Sequence, residues 1–288
     1  MEPGRASRTA ELVCMGRAVA HGRTSVARFA DPTALALLPD DARARVERVR
    51  AGTPATGLRA RVERGYLNRQ SKMMVARTVA IDDAVRAAAY PQLVILGAGL
   101  DGRAWRMPEL RDVVVFEVDH PDSQRDKRAR STALTPVARD IRFVPVDFAR
   151  DDLDEALASA GHDPARATTW IWEGVVMYLT LADIEATLAV IDRRSAAASR
   201  LIVAYHSPWP LLRLVGLLLR RIREPLRSAF TAEAMRGLLA KHKFEVVQDE
   251  DVPTIGAGLS AEIARATRVV KHLRIATAVR QLGHVSAE

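Results

Sequence analysis

The sequence predicts an α/β fold: a seven-stranded, doubly wound, mostly parallel sheet with helices ahead of it and a helical cap. Three observations predict it. Leu93 to Asp119 runs from an apolar segment through Gly97-Ala98-Gly99-Leu100-Asp101-Gly102 into a second apolar segment that ends in Glu117-Val118-Asp119. Strand, glycine turn, crossover and strand with a terminal acid make a nucleotide-binding βαβ unit. Short apolar runs then recur, with charged helical stretches between them, as strands buried under crossover helices do. Hydrophobic residues make up 48% of 288, ample for the core of one large domain, or of one domain with a cap.

Residues 1 to 90 read as an N-terminal helical segment, and 91–288 as the cofactor-binding core with a cap insertion at 207–230. In the first segment Asp31-Pro32 and Pro39-Asp40 are turn signals. Asp41 to Arg50 is a short charged helix that Gly52-Thr53-Pro54 breaks. Asn68 to Ala89 is a longer helix with apolar Met74, Val75, Val79, Ile81 and Val85, and it carries Arg77. Leu93–Leu96 is the first strand and Val113–Asp119 contains the second. His120-Pro121 leads into a helix over Asp122–Ser131. Arg142–Val146 is the third strand and ends in Asp147-Phe148. A helix over Asp152–Ala160 precedes the fourth strand, Thr169–Trp172, with Glu173-Gly174 at its carboxyl end. Thr180 caps the next helix with Asp183 three residues on, as in a capping box. Arg200–Tyr205 is the fifth strand and leads into His206. Trp209–Glu224 is a leucine-rich stretch with a polar stripe, too short and too charged to span a bilayer, and it reads as a cap. Thr231 caps a helix over Ala232–Lys241, Phe244–Val247 is the sixth strand, and Val269–Val279 contains the last.

The formal net charge is +8, and 43 residues are Lys or Arg, but only five of these are Lys. Acids interrupt the basic runs, so no nucleic-acid partner is expected, while anionic substrates would be steered in. One cysteine, Cys14, excludes an internal disulfide or a cysteine zinc cluster and suits a reducing cytoplasm. No metal is expected. The first thirty residues lack the apolar core of a signal peptide, and no membrane span is expected.

Two cofactors fit the glycine turn. A dinucleotide satisfies G-x-G-x-x-G, with Asp119 near ribose spacing. Asp101 argues against it, since a carboxylate in the turn would repel a pyrophosphate. S-adenosylmethionine has no phosphate and carries a sulfonium and an ammonium, so it fits better. A histidine at a strand end on the cofactor side, His206, is a candidate general base.

The motifs LGAGLDGRAWR, FEVDHP, VPVDF and WEGVVMYLT, in this order and spacing, resemble the leucine carboxyl methyltransferase-like family, and within it a bacterial branch common in actinobacteria. The resemblance is good over Arg77 to His206 and weaker outside. It implies the Rossmann-like fold of class I methyltransferases and S-adenosyl-L-methionine as cofactor, with S-adenosyl-L-homocysteine as product. It implies that Arg77 clamps the methionine carboxylate, that Gly97, Ala98, Gly99 and Asp101 form the cofactor turn, and that Asp119 with His120 serves the ribose. Asp147 and Phe148 would meet the adenine, and Glu173 with Gly174 the methionine ammonium; Met177 and Tyr178 would line the pocket near the reacting atoms. The implied reaction is O-methylation of a small-molecule carboxylate of secondary metabolism, lipophilic given the leucine-rich cap. A hydroxyl acceptor served by a base, a nicotinamide-dependent oxidoreductase and a non-catalytic binding protein are the alternatives. Oligomeric state stays open. The first forty residues and 209–224 are expected to close over the acceptor, so that losing Ala6 to Asp31 would cost turnover rather than cofactor binding.

Overall fold

A computed structural model describes residues 8–54, 56–148, 150–209 and 226–281. Its centre is one seven-stranded sheet in the order β3-β2-β1-β4-β5-β7-β6. The strands are β1 (Gln92–Leu96), β2 (Val114–Asp119), β3 (Asp140–Pro145), β4 (Thr168–Trp172), β5 (Arg200–His206), β6 (Phe244–Asp251) and β7 (Leu273–Arg280). The first five pair in parallel, and β7 runs antiparallel between β5 and β6.

The pleat divides the core in two, because successive side chains of a strand leave on opposite faces. Leu93 and Ile95 join one cluster with Val115, Ile171 and Ile202. Val94 and Leu96 join the other with Phe116, Trp170 and Val203. The long helix α4 (Leu58–Ala88) covers the first face through Val75, Val79 and Val85. The short α5 (Arg103–Arg106) adds Trp105, and the helix α6 (Pro121–Ser131) packs Lys127 over the Trp105 ring. The second face is covered by α7 (Leu153–Ser159), α8 (Leu181–Arg193) and α9 (Ala232–Lys241) through Leu157, Leu188 and Leu239. Two short helices, α10 (Val252–Ala257) and α11 (Ala261–Thr267), complete the first layer with Val252, Ile255 and Ile263.

Ahead of the sheet, α1 (Arg8–Ala20), α2 (Ala34–Leu37) and α3 (Asp40–Arg50) form a third cluster with Leu67 of α4 and Leu100 of the glycine turn. Gly16 allows α1 to approach α4: a Cβ there would lie 2.7 Å from the Met74 side chain.

Most element boundaries fall within two residues of expectation, and the Thr180–Asp183 capping box forms. Three differences are larger. Helix α4 starts at Leu58, ten residues early, because LRARVERGYL is rich in helix formers and the break at Gly52-Thr53-Pro54 lies before it. Strand β6 runs on to Asp251 past a bulge between Val246 and Gln248. Helices α1, α10 and α11 carry no sequence pattern strong enough to have been assigned. The leucine-rich stretch expected to be a cap lies outside the described residues, apart from Trp209. Among the described residues no helix is long and apolar enough to cross a membrane.

Candidate active site

At the carboxyl ends of β1, β2 and β4 lies a cavity of about 410 Å³. The strand order reverses between β1 and β4, which is where open α/β sheets bind ligands. The glycine turn forms its floor. Gly97 and Ala98 both donate to the carbonyl of Val118, at 2.8 and 3.0 Å, tying the turn to β2. Gly97 has φ +69°, and a Cβ there would lie 2.2 Å from Cγ2 of Val175, so the turn and the loop after β4 are in direct contact.

Asp119 ends β2 on the cavity wall. Its carboxylate accepts from the N–H of Gly99 and from the N–H of His120, the latter at 2.6 Å. Burial raises its pKa against the lowering effect of those two bonds. Each carboxylate oxygen keeps a lone pair for a further donor. Glu117, which sequence pattern alone could not separate from Asp119, is turned away: it and Lys127 are each 1% exposed and pair at 2.7 Å.

Beside the turn lies a buried ionic cluster. Arg77 Nε is 2.7 Å from Glu173 Oε1. Burial works against the charge of this guanidinium, and the Glu173 carboxylate offsets part of that cost. Arg103 binds Asp82 at 2.8 Å and Glu173 at 3.1 Å, and pairs with Asp101. Asp101 also accepts from the backbone N–H of Arg103 at 2.7 Å, at the start of α5. Burial pushes the Asp101 carboxyl up, but Arg103, Lys127, Arg17 and that backbone bond outweigh it and hold it at about 2. Much of the repulsion expected from Asp101 is thus compensated by Arg103. Its carboxylate nevertheless occupies the helix start where a pyrophosphate would otherwise sit.

Sequence reasoning missed the contribution of α1. Thr9, Ala10, Val13 and Arg17 all line the cavity. Arg17 Nη2 donates to the carbonyl of Leu100 at 2.6 Å, and its Nε pairs with Asp31 at 2.7 Å. Asp31 in turn accepts from Thr33 and from the N–H of Ala34. Composition could not single out Arg17 in so arginine-rich a chain. Ser123 of α6 and Val175 were also missed as lining residues.

The remaining expected site residues are placed as follows. Gly174 and Tyr178 line the cavity, and the Tyr178 hydroxyl lies 3.2 Å from Thr9 Oγ1. His120 flanks Asp119 and caps α6, its Nδ1 accepting from the N–H of Asp122 at 3.3 Å. Asp147 and Phe148 follow β3 and sit outside the cavity lining. The loop they begin is joined to β2, because Val146 donates to the carbonyl of Asp119 at 2.9 Å. His206 ends β5 and is likewise outside the lining; its ring lies 5.2 Å from that of His272, on which Trp209 stacks. Burial, with His272 and Arg77 nearby, pushes the His206 imidazole down to about 4. Among the described residues there is no group of three or more metal-ligating side chains.

The sheet order, the antiparallel seventh strand and a cavity at the switch point define the Rossmann-like fold of the class I methyltransferases. Residues 10–192, more than half of the sequence, match the model of the leucine carboxyl methyltransferase family, and the chain belongs to that family. A relative in Frankia alni, named "Putative S-adenosyl-L-methionine-dependent methyltransferase", is 41% identical over 132 residues, 44% of this chain and 46% of the relative. The chain spans about half the length of the curated relatives it matches. Two solved structures share the fold along nearly the whole chain. A "possible exported protein" of Bordetella parapertussis has a TM-score of 0.55 at 15% identity, over 98% of this chain and 100% of that one. A DUF574 family protein of Streptomyces avermitilis has 0.54 at 15% identity, over 96% and 98%.

Proposed function

We propose that this chain binds S-adenosyl-L-methionine and transfers its methyl group to an oxygen of a small-molecule carboxylate. The observation that carries the reading is the buried Arg77–Glu173 couple in the same cavity as Asp119. A guanidinium and a carboxylate side by side suit the carboxylate and ammonium of an amino acid. Asp119 suits the two hydroxyls of a ribose. Asp147 and Phe148, on the loop tied to Asp119, are our assignment for the adenine end.

The cofactor, when bound, supplies an electrophilic methyl group. The residues of this chain would position and enclose. Arg77 and Glu173 fix the amino-acid end, Asp119 with the Gly97–Gly99 turn fixes the ribose, and α1 with Tyr178 excludes water and aligns the acceptor for in-line attack. A carboxylate acceptor arrives deprotonated and needs no base. A hydroxyl acceptor needs one, and His206, held near 4, is a weak base at neutral pH. The placement of Asp101 at the start of α5 disfavours a dinucleotide. The free, buried Cys14 fits a reducing compartment, and we place the activity in the cytoplasm.

Calorimetry should show binding of S-adenosyl-L-homocysteine and none of NAD or NADP; tight NADP binding alone would sink the reading. Incubation with lysate and methyl-labelled cofactor should give a labelled product that mild alkali cleaves to methanol. An alkali-stable label would instead mean an ether or a methylated nitrogen, and would overturn the carboxylate assignment.

A further inference from the structure

Three arginines line the cavity: Arg17, Arg77 and Arg227. The first two are buried and carry acid partners, Asp31 and Glu173. Arg227 differs. It is exposed, and among the described residues it makes no ion pair, although its charge is felt by Asp183.

Its backbone is nonetheless fixed. Arg227 N–H donates to the carbonyl of Met177 at 2.7 Å, and Ser228 Oγ donates to that of Val176 at 2.7 Å. Phe230 N–H donates to the carbonyl of His206 at 2.9 Å, at the end of β5. The arginine is therefore rooted on the same turn as Tyr178, on the wall that meets Thr9 of α1. A guanidinium on a cavity wall, fixed at its backbone and in no ion pair among the described residues, presents a planar fork of donors to whatever enters.

We propose that Arg227 is a specificity-determining residue that holds an anionic head group of the methyl acceptor, with the acceptor's apolar stem against Ala10, Val13 and Val175. The inference rests on the methyl-transfer reading and deepens it. A carboxylate and a phosphate monoester offer the same chemistry to a guanidinium, and the test separates them. An acceptor seated there excludes water from the pair, which strengthens it.

The full chain is first saturated with S-adenosyl-L-homocysteine and then titrated with octanoate, octyl phosphate and neutral methyl octanoate. We expect at least one of the two anions to bind, and the ester to bind at least about tenfold more weakly, the loss of a charge-assisted bond. Arg227→Ala should weaken the anion by about tenfold or more, and Arg227→Lys should recover part of it. The anion that binds identifies the head group. Binding of S-adenosyl-L-homocysteine should stay within about twofold in both variants, since neither Asp119 nor the Arg77–Glu173 couple is touched. The proposal is overturned if no anion binds, if Arg227→Ala binds it as well as wild type does, or if the ester binds equally. Failure of S-adenosyl-L-homocysteine to bind at the first step counts against the methyl-transfer reading instead. The same anions titrated into the free chain would still show whether Arg227 holds them.

Discussion

Asp119 braces the glycine turn in a way that its sequence position revealed only in part. The acid at the end of β2 was legible from the strand pattern, but its bonds to the N–H groups of Gly99 and His120 were not, because both depend on how the turn folds back on the strand. Asp119→Ala should therefore weaken S-adenosyl-L-homocysteine by about 2 to 4 kcal/mol and also lower stability by about 1 to 2 kcal/mol, since two donors lose their acceptor. Calorimetry and urea denaturation read the two effects separately; unchanged affinity would remove Asp119 from the ribose site. Gly97 permits a second test. Gly97→Ala adds a strained positive φ and an overlap with Val175, together about 3 kcal/mol. Adding Val175→Ala should relieve the overlap and leave the backbone part, about 1 kcal/mol. If the double variant is no more stable than Gly97→Ala, the contact between turn and loop is not what limits the position.

At the scale of elements, strands and capped helices were legible where their signals are local: an apolar run, a threonine cap, a terminal acid. Helix α1 was not. Its role depends on Arg17 reaching Leu100 and Asp31, contacts that no spacing encodes. The first forty residues were expected, together with 209–224, to close over the acceptor; α1 also walls the cavity of the glycine turn itself. Deleting residues 1–31 should consequently abolish cofactor binding, not merely turnover, as calorimetry would show; affinity retained within a few-fold would return the helix to an acceptor-side cap. Asp31 is the joint of this arrangement, serving Arg17, Thr33 and the N–H of Ala34, with Arg106 3.8 Å away. Breaking a buried pair leaves an uncompensated charge, and Asp31→Ala should cost about 3 to 5 kcal/mol in urea denaturation.

For the whole molecule, the unbroken apolar run Leu93–Leu96 foretold a sheet covered on both faces, whereas the order of strands and the reversal of β7 were not legible. Pairing order is set by crossover packing, which leaves little mark on any one strand. The folded molecule also holds three of its imidazoles neutral. Burial lowers His162, His206 and His272, the first two to about 4 from 6.5. Their folded values lie below the unfolded one, so the unfolded chain takes up protons first and stability falls as the pH drops from about 6.5 towards 4. Glu117 acts oppositely. Burial raises it to about 7, against the pull of Lys127, and its folded state gains stability as the pH falls from 7 towards 4.5. For His162, 3% exposed between the Phe116 and Trp170 rings, the loss by pH 5 is about 2 kcal/mol. The stability of His162→Gln should thus drop by about 2 kcal/mol less than that of wild type between pH 7 and pH 5. Equal drops in both proteins would mean that His162 does not titrate differently on folding.

The bulge in β6 has a bearing on how the molecule behaves in a crowded solution. β6 is the last strand of the sheet, and its outer row of amides and carbonyls is a template on which a second chain can zip. The register shift between Val246 and Gln248 breaks that row near its middle, beside the exposed Val247. Two copies meeting antiparallel about that midpoint would bring Glu245 of each against Glu250 of the other, a like-charge pairing that sheets disfavour. The irregular strand thus works as a guard rail: it keeps an exposed sheet edge from becoming the first rung of an aggregate.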